Sequence, residues 1–162
     1  MPDFRAEERI FQLLTQVAGR AGRGDIQGRV FIQTFNPTSV AINCAVEQKF
    51  IPFYKGEIEN RRTFNYPPFS RLVLVVMSSE DDTLVSNAII SFARYLSVSF
   101  KDKDMVLLGP VRAPVEKIKN RYRWQLIIKT QSVYEFHRIA IKKVPHAKDL
   151  RVNIIADPID LM

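Results

Sequence analysis

Hydrophobic periodicity between residues 70 and 157 constrains the fold of this chain more than any other feature. The run LVLVVMS predicts a buried strand, and the aspartate at 81 or 82 is a suitable cap for a following helix. That helix has one apolar stripe, formed by Val85, Ile89, Phe92 and Leu96. The next run, MVLLGPVRAPV, predicts a strand that bends or lies at a sheet edge, because its two prolines cannot donate to a ladder.

The second half of this region repeats the strand, helix, strand pattern. RYRWQLIIKT predicts a further strand, Ser132 and Glu135 form a capping-box pattern before a second helix, and RVNIIAD predicts a last strand. The order β-α-β-β-α-β is that of the ferredoxin-like split βαβ arrangement, with both helices on one face of the sheet. We therefore expect an α/β protein of the α+β kind, with a ferredoxin-like domain over residues 67–162. Many functions occur on this fold, so the topology alone indicates none.

The first 66 residues have a different organisation. An amphipathic helix beginning near Asp3 and ending near Gly19 precedes a glycine-rich loop, and GRVFIQT at 28–34 predicts a short strand. A single strand needs a sheet to join, so residues 1–35 are predicted to be the closing edge of a separate α/β domain. Residues 36–66 are predicted to be a connector of two short helices, and the paired prolines that follow mark the domain boundary.

Charge and composition narrow the classes of partner. The chain has 162 residues, of which 46% are hydrophobic and 25% charged, which is typical of a globular protein. Twenty-four Lys and Arg residues against seventeen Asp and Glu give a formal net charge of +7. Such a field attracts polyanions such as nucleic acid, although solubility alone is an equally good explanation of the charge.

Cysteine and histidine are too few to build common metal or disulfide sites. One cysteine, Cys44, excludes an internal disulfide, and together with His137 and His146 it cannot complete a structural zinc site, so we expect no metal in this chain. No apolar run approaches the roughly 20 residues of a membrane span. The N-terminus lacks the apolar core of a signal peptide. These features indicate a cytoplasmic protein without a membrane partner.

Two arginines in the segment QVAGRAGRG, Arg20 and Arg23, are the first candidate site. Guanidinium groups match phosphate oxygens, and glycines let backbone approach a ligand closely. A solvated basic helix end is the alternative. The position of the segment between an amphipathic helix and a strand favours the phosphate interpretation, because the second motor lobe of helicases presents arginines to nucleotide in this context.

A second candidate site is the segment EKIKNRYRWQ, in which basic and apolar residues alternate. Its basic residues and its tryptophan are Lys117, Lys119, Arg121, Arg123 and Trp124. If the segment is one strand, all four charges share a face; if KNR is a hairpin turn, they crowd its tip. Phosphate contacts and stacking of an unpaired base on Trp124 or Tyr122 would bind DNA without sequence preference. A solvated tip, with Trp124 in the core, is the alternative.

Several segments together resemble the PriA family of primosomal replication-restart helicases. They are DFRAEERIFQLLTQVAGRAGRG, GRVFIQTFNP, YPPFSRL, LGPVRAPVEKIKNRYRWQLIIK and ADPIDL. Many helicases carry a QxxGRxGR element, but YPPF and the last two segments are not general helicase features. The resemblance covers nearly the whole chain and implies that residues 1–35 are the end of a second RecA-like lobe, with helicase motif six in its loop.

This resemblance implies a role for each residue of the glycine-rich segment. In the family, motif six faces ATP across the cleft between the lobes. Arg23 matches the arginine finger that stabilises charge on the γ-phosphate, Arg20 a supporting contact, and Gln16 a link to neighbouring motifs. Gly19 and Gly22 complete the nucleotide-binding set. No GxxxxGK[ST] loop or DExH motif accompanies them in this sequence.

The resemblance also implies cofactors, partners and an incomplete enzyme. We expect a fragment of an ATP-dependent 3′→5′ DNA helicase that is inactive by itself, with ATP and Mg²⁺ bound only by the longer protein and zinc only in a module outside this chain. Expected partners are branched and single-stranded DNA, single-stranded-DNA-binding protein and other primosome proteins, in the bacterial cytoplasm near the nucleoid. The rival interpretation is a stand-alone basic ferredoxin-like module that binds nucleic acid and has no motor.

Overall fold

The computed structural model of this chain describes residues 3–21, 28–100, 104–159 and 161. The chain divides into a helical unit of residues 2–64 and a unit of residues 65–162 that contains a four-stranded antiparallel sheet. The expected mixed α/β class is confirmed at this level. None of the described helices is long and apolar enough to cross a membrane.

In its described residues, the helical unit has three helices around a small aromatic core. They are α1 (Ala6–Ala21), α2 (Val40–Val46) and α3 (Phe50–Thr63). The rings of Phe11 on α1 and Phe53 on α3 stack with their centroids 4.3 Å apart, beside the buried alanines of α2. Pro52 occupies the first turn of α3, where a missing N–H breaks no helical hydrogen bond. The two short helices predicted within residues 36–66 are confirmed as α2 and α3.

The strand predicted at residues 28–34 is wrong for this structure. These residues have no regular secondary structure, and the described residues contain no strand that pairs with them. Their apolar side chains face solvent: Phe31 is 89% exposed, and Phe35 just beyond is fully exposed. An isolated segment has no neighbour to accept its backbone hydrogen bonds, so β-propensity alone cannot hold it extended.

The sheet unit follows the element order predicted from periodicity. Its strands are β1 (Arg71–Ser79), β2 (Met105–Ile118), β3 (Arg121–Thr130) and β4 (Arg151–Ala156). The helix α4 (Asp82–Ser99) connects β1 to β2, and α5 (Val133–Ala140), extended by a 3₁₀ turn, connects β3 to β4. The strand order is β2-β3-β1-β4, with every neighbouring pair antiparallel. The proline-containing β2 lies at an edge and has two register shifts, as its sequence predicts.

Both helices pack on one face of this sheet. The predicted stripe of α4 is buried, and it contacts the alternate residues Val73, Val75 and Met77 of β1 together with Phe136 of α5. The helix caps also follow the sequence signals. Asp81 accepts hydrogen bonds from the first backbone N–H groups of α4, and Ser132 accepts one from the Glu135 N–H at the start of α5.

The sheet face opposite the helices is buried as well along β1 and β3. Leu72 and Leu74 of β1 and Ile127 of β3 are each at most 3% exposed. Next to them, the ammonium of Lys129 lies 3.4 Å from the centroid of the Tyr66 ring. Burial lowers the pKa of Lys129, because removal from water disfavours its charged form. The central strands thus contribute to apolar layers on both sides.

Candidate nucleic-acid interface

The basic segment forms the tip of the hairpin between β2 and β3. Ile118 lies opposite Arg121, so the turn contains only Lys119 and Asn120, with φ angles of 49° and 60°. Two consecutive left-handed residues are typical of a type I′ turn, whose twist matches that of the paired strands. The hairpin interpretation of KNR is therefore confirmed, and the single-strand interpretation is wrong. We name residues 117–124 the basic hairpin.

The basic residues of this hairpin do not share one face. Lys117 lies opposite Tyr122, and its ammonium is 4.3 Å from the centroid of that ring. Arg123 is directly opposite Ser78 of β1, and Ser78 is in turn opposite Arg151 of β4. Residues opposite one another in an antiparallel ladder project from the same face. Arg123 and Arg151 therefore project from one face of the sheet and flank Ser78.

Arg121 is committed to contacts within the protein. Its side chain is only 10% exposed, and one terminal nitrogen lies 2.6 Å from a carboxylate oxygen of Asp149. The other terminal nitrogen donates to the backbone carbonyl oxygens of Ser78 and Asp149. These bonds tie the start of β3 to the end of β1 and to the loop before β4. A guanidinium held in this way positions the hairpin and presents little surface to a ligand.

Asp149 is the partner that holds Arg121 in place. Its carboxylate accepts hydrogen bonds from the Ser79 hydroxyl and the Glu80 backbone N–H, each at 2.7 Å, in addition to the bond from Arg121. The Ser79 hydroxyl, the Glu80 N–H and the Arg121 guanidinium lower the pKa of Asp149 to about 2. The carboxylate is therefore ionised and fully paired at neutral pH. No sequence signal marked Asp149, because its three partners are 28 to 70 residues away in the chain.

Trp124 packs against the core and is oriented by one hydrogen bond. Its indole N–H donates to Asp82 at 2.9 Å, and Arg112 both pairs with Asp82 and lies 5.4 Å from the Trp124 ring centroid. The indole hydrogen bond, together with Arg112, lowers the pKa of Asp82. The ring is half-buried beside the helix-facing core, which favours the packing alternative over base stacking. Stacking of an unpaired base on Trp124 stays a prediction.

The residues of the other candidate site lie at the end of α1. Gln16, Gly19 and Arg20 are exposed on its last turns, and a Cβ on Gly19 would meet no other atom within 4 Å. The predicted contributions of Gly22 and Arg23 lie outside the described residues. Among the described residues, no group of His, Cys, Asp and Glu side chains is arranged to hold a metal ion.

Substitution of Arg121 tests whether it serves the fold. We expect Arg121→Gln to lower the free energy of unfolding by about 1–3 kcal/mol, because a charge-assisted, largely buried set of hydrogen bonds is lost. Arg123→Gln, on the same strand, is the matched control and should change stability by less than about 0.5 kcal/mol. Urea denaturation followed by circular dichroism measures both. Equal stability of the two variants would contradict the positioning role of Arg121.

The low pKa of Asp149 predicts a pH-dependent difference in stability. The folded pKa of about 2 lies below the usual 3.8, so the ionised carboxylate stabilises the folded state above about pH 4. This contribution is lost as the pH falls through about 2. We expect the free energy of unfolding of the wild type to approach that of Asp149→Asn across this window, in urea titrations at successive pH values. A difference that stays constant over the window would show that the carboxylate charge is unimportant.

Comparison with known proteins identifies the family of this chain. Residues 62–159 match the family described as the primosomal protein N C-terminal domain. The Replication restart protein PriA of Bacillus subtilis is 37% identical over 148 residues, which are 91% of this chain and 18% of that protein. The protein of the same name from Chlamydia trachomatis serovar D is 35% identical over 98% of this chain and 21% of its own length. The chain thus spans about a fifth of the length of these relatives, and it belongs to the PriA family, in the region that includes the primosomal protein N C-terminal domain.

Proposed function

We propose that this chain is the C-terminal part of an ATP-dependent 3′→5′ DNA helicase that acts in replication restart and assembles the primosome at stalled forks. The observation that carries this proposal is the alignment of 91% of the chain with a protein named for replication restart. Within that enzyme the chain supplies the arginine-finger side of the ATP site and a domain that binds DNA and docks partners. The chain alone does not hydrolyse ATP.

The ATP side of the proposal rests on the end of α1. Arg20 is exposed in its last turn, and the motif continues through Arg23 immediately afterwards. Arg23 is the finger and Arg20 a supporting contact, and Gln16 links the nucleotide to neighbouring motifs. The glycines at 19 and 22 let the backbone come close to the nucleotide. ATP and Mg²⁺ are held mainly by residues outside this chain, and zinc by a separate cysteine-rich module. The exposed apolar side chains near Phe31 support a place for this segment at the end of a RecA-like lobe.

The DNA side of the proposal rests on the basic hairpin. Lys117, Lys119 and Arg123 carry charge at an exposed tip, whereas Arg121 acts as a positioning residue through Asp149. Phosphate neutralisation by such residues is insensitive to base sequence and suits branched or single-stranded DNA. The strand order and the placement of both helices support a ferredoxin-like domain as the platform for this hairpin. Single-stranded-DNA-binding protein and primosome proteins are the proposed partners, in the bacterial cytoplasm near the nucleoid.

DNA binding by the isolated chain tests the hairpin. We expect weak binding of forked and single-stranded DNA, with the logarithm of the affinity falling linearly with the logarithm of salt concentration. Replacing Lys117, Lys119 and Arg123 by glutamine should weaken binding and flatten the salt dependence by roughly 0.7–0.9 per lost phosphate contact. Fluorescence anisotropy at several salt concentrations measures both quantities.

The control for this test removes the same charge elsewhere. Arg94 on the outer side of α4 and Lys142 and Lys143 after α5 are exposed, and a triple glutamine variant at these positions should bind nearly as the wild type does. Binding that does not change with salt would contradict phosphate neutralisation. Equal losses in the two triple variants would show that net charge matters and the hairpin does not.

The arginine-finger role requires the longer helicase that contains this chain. There, Arg23→Ala should lower the DNA-stimulated ATPase rate by about 10³-fold or more, because the finger stabilises charge in the transition state, while DNA affinity stays within a few-fold. Arg29→Ala, an exposed arginine beyond the motif, is the control and should retain turnover. Unchanged turnover in Arg23→Ala would remove the finger role and favour the rival, a basic nucleic-acid-binding module without a motor.

A further inference from the structure

A concave basic surface lies where the hairpin meets β1 and β4. This hollow has a volume of about 220 Å³ and is lined by Ser78, Ile118, Lys119, Arg121, Arg123 and Arg151. Four of its six lining residues are cationic. We call it the basic hollow, and we propose that it binds one phosphate group of a nucleic-acid backbone, with Arg123 and Arg151 on either side of that phosphate.

Strand register places the two arginines on either side of a hydroxyl group. Arg123 and Arg151 are each directly opposite Ser78, on the two strands that flank β1. The three side chains therefore form one row across β3, β1 and β4. Guanidinium groups can donate paired hydrogen bonds to phosphate oxygens, and a serine hydroxyl between them can donate another. The row thus presents donors from both sides and from its centre.

Three of the four cationic side chains of the hollow are available to a ligand. Lys119 and Arg151 form no ion pair with the described residues, and Arg123 makes one hydrogen bond of 3.3 Å to the Val115 carbonyl oxygen. Arg121 lines the hollow, and its buried Nε has no hydrogen-bond partner among the described residues. Asp149, which pairs with Arg121, already accepts hydrogen bonds from three donors, and the Glu80 carboxylate lies 3.8 Å from the same guanidinium. An incoming anion therefore meets a surplus of donors over acceptors.

The size of the hollow favours a single phosphate over a whole nucleotide. Sites that enclose small molecules have volumes of about 300–1,000 Å³ and are mostly apolar. The basic hollow is smaller, and its lining has Ile118 as its one apolar residue. It has no aromatic residue on which a base could stack. A backbone phosphate bound in the hollow would direct the nucleic acid across the start of β3, the end of β1 and the start of β4, and along the turn residue Lys119.

This inference rests on the proposed function, because it takes nucleic acid as the source of the phosphate. It adds Arg151 and Ser78, which lie outside the hairpin, to the contact surface. It also predicts that Arg123 and Arg151 act on the same phosphate. The effects of substituting them should therefore be coupled, since substitutions of residues that share one partner do not have additive free-energy effects.

Single-stranded oligothymidylate binding to the whole chain tests the arrangement. We expect Arg151→Gln to weaken binding several-fold and to lower the salt slope by less than roughly 0.7, the value for one phosphate contact on a single strand, because Arg123 still contacts the shared phosphate. Arg94→Gln, with the same charge change on an exposed helix position, should do neither. The combined Arg123→Gln and Arg151→Gln variant should lose less affinity than the product of the two single losses. When Arg123→Gln is combined with Arg94→Gln, the loss of affinity should equal the product of the two single losses.

Pyrophosphate provides a readout that does not depend on DNA. Addition of pyrophosphate should shift the NMR signals of the side-chain Nε–H groups of Arg123 and Arg151 in the wild type, and Ser78→Ala should weaken this response. Circular dichroism confirms that each variant is folded. Oligothymidylate should displace pyrophosphate if the backbone occupies the hollow.

The two measurements separate failure of this inference from failure of the proposed function. DNA binding that is equal in Arg151→Gln and Arg94→Gln would overturn the hollow and leave the DNA role of the hairpin standing. Pyrophosphate shifts without any DNA binding would make the hollow a small-anion site and overturn the nucleic-acid source. The absence of both DNA binding and pyrophosphate shifts would overturn both the hollow and the proposed function.

Discussion

The central strand β1 is the constraint on which the sheet unit depends. It is hydrogen-bonded to β3 on one side and β4 on the other, and six consecutive residues from Leu72 to Met77 are buried. A strand with apolar side chains on both faces must be covered on both faces, so a shift of register would expose or bury the wrong groups along its whole length. The same register places Ser78 between Arg123 and Arg151, which means that the position of the basic hollow follows from the packing of the core.

The basic residues of the chain divide into two kinds. Arg121 is buried, and its two terminal nitrogens bond to Asp149 and to carbonyl oxygens, so its charge helps to join β3 to the rest of the sheet. Lys119, Arg123 and Arg151 stay available around a hollow that faces solvent. Proximity in sequence does not distinguish the two kinds, because Arg121 and Arg123 are only two residues apart and differ in what the fold places opposite them. Fewer cations of the hairpin are exposed to a ligand than its sequence indicates.

Local patterns predicted the elements of the sheet unit well. The apolar stripe of α4, the caps at Asp81 and Ser132, and the edge position of the proline-containing β2 all depend on residues close together in sequence. The prediction of a strand at residues 28–34 was wrong because a strand also depends on residues far away in sequence. Its β-branched and aromatic residues favour an extended backbone, but a strand forms only when another strand pairs with it through hydrogen bonds.

The amino-acid sequence by itself determined the order of helices and strands in the sheet unit, the basic character of the chain and its family, because periodicity, composition and motifs can be read without knowing which distant residues meet. It also showed arginines beside glycines in the segment QVAGRAGRG. Only the tertiary structure decided that KNR is a turn, that Arg121 is held by Asp149, and that Arg151 joins Arg123 across Ser78. Contacts between residues far apart in the chain are set by strand register, and register is fixed by the packing of whole elements.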